Sequence, residues 1–304
     1  MECGKLLTKE MNSMIRLGYA CMNSTIKTKF KTCRLATMQQ EGMEKIKELA
    51  IYNLERTLDI VKWNIENDIF FYRASSDVIP FATHLEMTWD WKNDEDVKRI
   101  CAEIKELAQK HDMRLSSHPG QYSVLNSPNI IIVDNCIKDF TYHAEFMDLI
   151  GGTDMITHVG GVYGDKERAK ERFVDNYILL NDSVKSKLRL ENDDKSFTIR
   201  DVLDIHEKCG IPVVLDIHHH HCNPCDQDIR EVLPEVIKTW KTKPKMHIST
   251  GKTHKKDISH HDYISEEDYD YFLELLSGYD VDIMFEAKKK EVSILNLRNR
   301  VKVV

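Results

Sequence analysis

Short runs of β-forming residues alternate with longer helical stretches along almost the whole chain. The β-type runs span 15–20, 69–74, 113–117, 154–158, 188–192, 213–217, 245–249 and 281–286. Apolar residues recur at helical spacing over 42–66, 94–111, 129–150, 165–187, 198–209, 228–240 and 265–276. Strands that alternate with helices form parallel sheets, and eight such units close into a barrel. The pattern therefore predicts an α/β fold, a single (β/α)8 TIM barrel.

The domain organisation follows from the length and from what the sequence lacks. The chain has 304 residues, and no stretch rich in Pro, Gly or Ser divides it. We expect a short N-terminal extension over 1–13 and one barrel domain over 14–304. No run of 18 apolar residues occurs, and residues 1–14 lack the apolar stretch of a secretion signal. We therefore expect a cytoplasmic protein without a membrane partner.

The number and spacing of the cysteines also favour an intracellular protein. The chain contains eight cysteines, and only Cys222 and Cys225 have a spacing that is typical of metal or redox sites. No second pair with that spacing exists, so a zinc site of two such pairs is not expected. Reduced thiols are the default in an intracellular protein.

Histidines and carboxylates recur at the carboxyl ends of the predicted strands and in the loops that follow them. These positions are His84, His118, His158, Glu191, Asp216, His219, His247, His260 and Glu286. In a barrel, all of these strand ends meet at one mouth. Burying so many imidazoles and carboxylates together would be costly without cations, and the set exceeds what one metal takes from protein. We therefore predict two or three divalent metals at the C-terminal mouth.

The ligand types bear on which metal is bound. The set contains no cysteine, and mixed nitrogen and oxygen ligation suits manganese, zinc or iron better than a thiolate site does. We expect manganese, with magnesium, zinc or iron as alternatives. Each residue alone has another interpretation: a lone histidine is usually a hydrogen-bonded core or loop residue, and Asp216 could be a helix N-cap. Within the run of histidines at 218–221, we expect His219 to be the ligand.

Two chemistries suit a barrel with several metals. Phosphodiester hydrolysis is one, and aldose–ketose isomerisation of a sugar is the other. The net charge of −7 argues mildly against a protein that coats nucleic acid. However, segment 238–256 holds seven lysines and no Asp or Glu, beside His247 and His260. This favours nucleic acid over a sugar, although a lysine cluster by itself is usually a solvated surface.

Six segments in order resemble the signature segments of the UV damage endonucleases. They are 15–20 (IRLGYA), 72–76 (YRASS), 117–122 (SHPGQY), 157–161 (THVGG), 190–193 (LEND) and 285–288 (FEAK). The resemblance extends from about Met14 to about Lys290, and 117–122 is its most specific part. This family is related to the endonuclease IV type of abasic-site nuclease, which shares the barrel and a three-metal site.

The resemblance implies a role for individual residues. The nine histidine and carboxylate positions above match the family's metal ligands, with Glu191 bridging two ions and with His261 as an alternative to His260. Glu191, Lys245 and Glu286 would form the catalytic set. Lys245 matches a lysine that is carboxylated near the metals in this family; a plain ion pair with a ligand carboxylate is the alternative.

The resemblance also implies how a lesion is recognised. Gln121 and Tyr122 match a pair that is wedged into the duplex, where damaged bases are already poorly stacked. Tyr19 and Asn23 match residues that approach the lesion, although a tyrosine at such a position is more often part of the core. The partner would be damaged double-stranded DNA, and no obligate protein partner is evident.

The implied activity is incision immediately 5′ to UV photoproducts, leaving a 3′-hydroxyl. Substrates would be cyclobutane pyrimidine dimers and 6-4 photoproducts, with abasic sites as a further candidate. Three alternatives remain open at this point: an abasic-site endonuclease, a sugar isomerase or epimerase, and a non-enzymatic damage sensor. The segment with Gln121 and Tyr122 argues against the first, and the set of candidate ligands argues against the last.

Overall fold

The computed structural model describes residues 15–120 and 122–301. The predicted extension over 1–13 and Gln121 therefore lie outside the described residues. Among the residues that are described, no helix is both long enough and apolar enough to cross a membrane.

Eight parallel strands form one sheet in the order β6-β5-β4-β3-β2-β1-β8-β7. The strands are β1 Arg16–Ala20, β2 Phe71–Arg73, β3 Arg114–Ser117, β4 Asp154–His158, β5 Leu188–Glu191, β6 Val213–Val214, β7 Lys245–Ile248 and β8 Asp282–Phe285. β6 and β7 meet through a parallel bridge between Asp216 and His247, and the His247 amide donates to the Leu215 carbonyl at 2.9 Å. The predicted TIM barrel is confirmed, and its last seam is made by two of the candidate ligands.

Helices cover the outside of the sheet. They are α1 Leu35–Glu41, α2 Met43–Glu66, α3 Glu95–Lys110, α4 Ile130–Ile150, α5 Lys166–Ile178, α6 Asp182–Lys187, α7 Ile199–Cys209, α8 Ile217–Cys222, α9 Ile229–Lys238, α10 Glu266–Leu275 and α11 Glu291–Val301. Their apolar faces and the strands form a continuous buried core. Local signals set several ends: Asp94 caps α3, Thr198 and Asp201 form a capping box on α7, and Gly151 ends α4 in the left-handed conformation.

Several elements differ from the sequence-based expectation. The run 165–187 is two helices, because the Asn181 side chain accepts from the Val184 amide and starts α6. The sixth strand is shorter than 213–217, because Asp216 caps the additional helix α8 by accepting from the His219 amide. α1 and α11 were not predicted.

Buried ion pairs and an aromatic ring fill the amino-terminal end of the barrel. Arg114 contacts Asp154 at 2.7 Å and Asp282 at 2.9 Å, while Arg189 contacts Asp154 at 2.9 Å. The Trp240 ring lies 5.4 Å from the Arg114 guanidinium and 5.2 Å from that of Arg189. Arg114, Asp154 and Asp282 are the first residues of their strands, and Arg189 is the second residue of its strand. Their charges therefore meet at one level of the barrel.

Candidate metal centre

Glu191 stands at the centre of the carboxyl end of the barrel. It is the last residue of β5 and is almost completely buried. Three groups of potential ligand atoms, each within 4.8 Å of one another, share this residue. The groups are His118, His158 and Glu191; Glu191, His247 and Glu286; and Glu191, Asp216 and His219.

The two carboxylate oxygens of Glu191 face different neighbours. Oε2 lies 3.4 Å from Nε2 of His118 and 3.4 Å from Nε2 of His158. Oε1 lies 2.6 Å from Nδ1 of His247 and 4.0 Å from Nδ1 of His219. A carboxylate whose oxygens point at separate ligand groups has the arrangement needed to bridge two cations.

The short β6 and the helix α8 place Asp216 and His219 against Glu191. Asp216 Oδ1 accepts from the His219 amide at 2.9 Å, so the cap of α8 orients one oxygen. His219 Nδ1 lies 2.9 Å from the Asn192 carbonyl, which leaves Nε2 free for a ligand. Asn192 also exchanges hydrogen bonds with the Asp216 backbone at 2.9 and 3.1 Å. This supporting role of Asn192 was not predicted from the sequence, although Asn192 directly follows Glu191.

Glu286 is held by a second residue that was missed. Arg73, the last residue of β2, donates to Glu286 Oε1 at 2.5 Å, and His247 Nδ1 lies 3.3 Å from the same oxygen. His260 lies close by, with Nδ1 2.8 Å from the Glu286 carbonyl oxygen. His260 is outside the three groups. In the sequence, the signal for this role of Arg73 was its position at the carboxyl end of the second predicted strand, which lies at the same mouth as Glu286.

The electrostatics of the cluster favour ionised carboxylates beside neutral imidazoles. Burial would raise the pKa of Glu191, but His247 and His158 hold that pKa well below its usual range. Burial lowers the pKa of His247 and of His158. His219 is the exception: despite its burial, Asp216 and Glu191 raise its pKa to about 9, so this imidazole is protonated at neutral pH and a bound metal ion would displace that proton. Neutral imidazoles and charged carboxylates are the forms that bind metal ions.

Several buried polar atoms of the cluster have no hydrogen-bond partner among the described residues. They include His158 Nδ1, His247 Nε2 and Asp216 Oδ2. An unsatisfied buried polar atom costs about 1–3 kcal/mol. The donor set, the shared bridging carboxylate and these orphaned atoms fit divalent cations, so the residues present suit the metals expected at this mouth.

Lys245 lies under the cluster at the start of β7. Its side chain is fully buried, and Nζ donates to Ser116 Oγ at 3.0 Å and lies 5.2 Å from the Phe71 ring. No carboxylate of the described residues forms an ion pair with Nζ. Burial lowers the pKa of Lys245 to about 7, although Asp154 opposes that shift.

His84 lies apart from the three groups. Its ring is half-buried, 5.7 Å from the Phe81 ring, and it lines a cavity of about 380 Å³ that Trp91 and Tyr142 also line. Its assignment as a metal ligand stays a prediction.

The candidate lesion-contacting residues have different exposures. Tyr122, in the loop after β3, is 84% exposed. Tyr19 and Asn23 are buried instead, because the Tyr19 hydroxyl donates to Asn64 Oδ1 at 2.7 Å and accepts from Asn23 Nδ2 at 2.8 Å. The structure therefore leaves Tyr122 accessible and packs Tyr19 into the core. The lesion contacts of all these residues stay predictions.

The lysines of segment 238–256 do not form one surface. Lys243 contacts Asp280 at 2.6 Å and Asp282 at 3.3 Å at the amino-terminal end of the barrel. Lys245 is buried, whereas Lys252 and its neighbours are exposed in the loop after β7. A strand runs through the segment and separates its charges, so the apparent cluster is not one basic patch.

Comparison with known proteins indicates one family. The family model described as UV-endonuclease UvdE matches residues 15–303. The UV DNA damage endonuclease of Bacillus mycoides (strain KBAB4) is 36% identical over an alignment of 298 residues, and the alignment covers 93% of this chain and 93% of that one. The crystal structure of SacUVDE superposes with a TM-score of 0.88 at 34% identity and covers 95% of this chain and 97% of that one.

A more distant structure shares the fold alone. Endonuclease IV from Thermus thermophilus has a TM-score of 0.58 at 15% identity, covering 80% of this chain and 91% of that chain. At this identity the likeness carries no information about substrate.

Proposed function

The chain belongs to the UV damage endonuclease family, and from that premise we propose that it nicks duplex DNA immediately 5′ to UV photoproducts and leaves a 3′-hydroxyl. The proposed substrates are cyclobutane pyrimidine dimers and 6-4 photoproducts, and abasic sites are a further candidate. The observation that carries the proposal is the position of Glu191, whose two oxygens face separate groups of ligand atoms at the barrel mouth.

We assign two or three divalent cations, manganese first, to the residues around Glu191. His118 and His158 would hold one cation, Asp216 and His219 another, and His247 and Glu286 a third, with Glu191 shared among them. Such cations supply Lewis acidity toward phosphate oxygens and lower the pKa of a coordinated water. His84 and His260 are proposed as additional ligands from the family resemblance.

The protein's own residues hold this centre in place. Asn192 fixes the ring orientation of His219 and the backbone of Asp216, and Arg73 fixes one oxygen of Glu286. Orienting contacts of this kind set both the geometry and the basicity of ligands. Lys245 is proposed to carry a carboxyl group, supported by its full burial beneath the cluster and by the lack of an ion pair to a described carboxylate.

Recognition is assigned to the loop after β3. Tyr122 extends into solvent on the same side of the barrel as Glu191, where a duplex would approach the cluster. A damaged dinucleotide is poorly stacked, so displacing it costs less than displacing normal bases. We propose that Tyr122 and Gln121 fill the space that the lesion leaves, so that recognition depends on distortion rather than on base sequence.

A nicking assay tests the proposal. A labelled duplex with one defined cyclobutane dimer is incubated with manganese and, separately, with chelator, beside undamaged and abasic duplexes. Manganese-dependent incision at the 5′ side of the dimer is expected. Cleavage of the abasic duplex alone would replace the proposal with an abasic-site endonuclease, and no cleavage of any duplex with metal bound would refute it.

A further inference from the structure

The loop after β3 carries an exposed aromatic ring on a buried stem. Tyr122 is 84% exposed, and its side chain forms no hydrogen bond, ion pair or ring contact with another described residue. Leu125 and Asn126, three and four residues later, are fully buried. The direction of the ring is therefore set by the backbone that joins it to the stem, and not by polar or ring contacts of its own.

The stem is fixed by two neighbouring elements. From α5, Asn176 Nδ2 donates to the Leu125 carbonyl at 2.8 Å, and Arg172 Nε donates to the Asn126 carbonyl at 2.9 Å. In the loop after β4, the Gly161 carbonyl accepts from Asn126 Nδ2 at 2.8 Å. A stem that is already ordered loses little entropy when a ligand binds beside it.

A glycine in the loop after β4 allows that loop to approach the stem closely. Gly160 has a φ of +114°, and a Cβ atom at this position would clash with Asn126 Oδ1 and lie 2.6 Å from Val124 Cγ1. The two loops are therefore packed against each other from Val124 onward. Ser123 is the single residue between the ring of Tyr122 and this packed stem.

Ser123 is tied through its side chain to the helix that the loop leads into. Its amide donates to the Gly120 carbonyl at 2.9 Å, and its hydroxyl donates to Oδ2 of Asp139 in α4. The other oxygen of Asp139 lies 3.7 Å from Nε2 of His143. Burial lowers the pKa of His143 to about 4, so this neutral imidazole does not compete as a cation for the carboxylate. A hydrogen bond to a carboxylate is stronger than one between neutral groups, which suits it to holding the loop.

We propose that Ser123 and Asp139 are positioning residues that fix the direction of the Tyr122 ring for lesion recognition, an inference that rests on the proposed wedge. Without their contact, the tip of the loop must be ordered at each binding event, and that ordering has a cost. An intact duplex does not accept the ring, so its binding does not bear this cost. Neither residue belongs to the Glu191 ligand groups. The contact should therefore act on discrimination between duplexes and not on the metals.

Hydrogen exchange of the free protein tests the positional part of the proposal without DNA. The amides of the loop tip should exchange faster in S123A and in D139A than in the wild type, and those of α4 should not change. The matched control is D134A, which removes the same charge from an exposed position of the same helix. It should exchange as the wild type does. Wild-type exchange of the loop in both S123A and D139A would overturn the proposal.

Binding tests whether the contact acts through the ring. Fluorescence anisotropy would give the ratio of affinities for a dimer-containing and an undamaged duplex. Ordering a side chain on binding changes affinity by a factor of about two to twelve, so S123A and D139A should each lower the ratio about fivefold. S123A/D139A should lower it no further, because both changes remove one contact. In a Y122A background neither change should lower the ratio again, and D134A should keep the wild-type ratio.

The outcomes separate this proposal from the proposed reaction. An equal loss of discrimination with and without Tyr122 would overturn the proposal, because the contact would then not act through the ring. Wild-type discrimination in S123A and D139A would overturn it as well. A wild type that discriminates between the duplexes but does not nick would refute the proposed reaction and not the positioning role. A wild type that binds both duplexes equally would refute lesion recognition, and the positioning role with it.

Discussion

The two ends of this barrel use buried charged and polar residues in opposite ways. At the amino-terminal end, both oxygens of Asp154 are paired, with Arg114 at 2.7 Å and with Arg189 at 2.9 Å. At the carboxyl end, Asp216 Oδ2 and nitrogens of His158 and His247 are buried without hydrogen-bond partners in the part of the chain that the structure describes. Charge that is compensated within the chain stabilises the fold, whereas charge left for a ligand to compensate provides a site.

The pKa values show the same contrast. Burial would raise the pKa of Asp154, but Arg114 and Arg189 lower that pKa to about 2. At the mouth, imidazoles rather than guanidiniums lower the pKa of Glu191. Imidazoles can exchange a proton for a metal ion, and guanidiniums cannot. The partners of Glu191 are therefore ones that a metal ion can replace, whereas those of Asp154 are not. Arg73, which pairs with Glu286 at the same mouth, orients that carboxylate through one oxygen.

The largest expected effect is at the mouth. Glu191→Gln removes the negative charge that the three ligand groups share, so cleavage should fall by on the order of a thousandfold or more. The DNA surface is untouched, so affinity for a dimer-containing duplex should change only a few-fold. Single-turnover nicking and anisotropy measure the two quantities. Near-normal nicking by a folded Glu191→Gln protein would remove Glu191 from the centre of the mechanism.

The matching change at the other end should affect stability and not chemistry. Asp154→Asn leaves Arg114 and Arg189 without their shared carboxylate, so the free energy of unfolding should fall by about 3 kcal/mol at neutral pH. Denaturant unfolding measures this change, and the nicking rate per folded molecule should be that of the wild type. A lowered nicking rate with unchanged stability would reverse the roles given to the two ends.

Acid should weaken the same contact in the wild type. The folded-state pKa of Asp154 is about 2, below the unfolded value of about 3.9, so its contribution is present above about pH 4 and is lost as the pH falls toward 2. That loss amounts to about 2–3 kcal/mol. The stability difference between wild type and Asp154→Asn should therefore shrink over this interval, and a constant difference would contradict the pairing.

Metal addition should also distinguish the two ends of the barrel, through a change in stability slightly smaller than the one expected for Asp154→Asn. Manganese added to chelator-treated protein at about 100 times its dissociation constant should stabilise the fold by about 2.7 kcal/mol per site. Thermal unfolding should show this gain in wild type and in Asp154→Asn, and a reduced gain in Glu191→Gln. Equal gains in all three proteins would place the metal elsewhere.

The smallest expected effect concerns the rim of the mouth. Tyr122→Ala removes an exposed ring that contacts no metal ligand group, so the preference for damaged over intact duplex should fall about tenfold. Manganese-induced stabilisation should not change. Unaltered discrimination would eliminate the wedge, and a loss of metal stabilisation would show that the loop supports the cluster instead.

Residue order and strand periodicity were sufficient to predict the barrel and most of its mouth. Glu191 and Glu286 follow the fifth- and eighth-strand patterns at positions where a parallel strand must end, so their convergence follows from topology alone. The same reasoning could not detect Arg73 or Asn192, because a single arginine or asparagine at a strand end has many possible roles. Their orienting contacts depend on which side chains lie opposite.

For two sequence features, the structure adds information that the sequence pattern alone does not contain. Segment 238–256 resembled one basic surface, yet β7 separates Lys243 at one end of the barrel from Lys252 near the other. Tyr19 matched a lesion contact by resemblance; its hydroxyl bonds Asn64 and Asn23 inside the protein, and its contact with a lesion stays a prediction. Neighbours in sequence are neighbours in space only within one element, so distant contacts decide such cases.

By itself, the sequence determined the alternation of strands and helices and the identity of the residues that end the strands. Periodicity and strand direction are local properties, and they suffice to place those residues at one mouth. Only the tertiary structure decided which charges are paired and which are left for a ligand. That distinction depends on distances between residues such as Arg114 and Asp154, or Glu191 and His247, which lie on different strands. Pairing energies fall steeply with those distances and with solvent exposure, and neither quantity is written in the sequence.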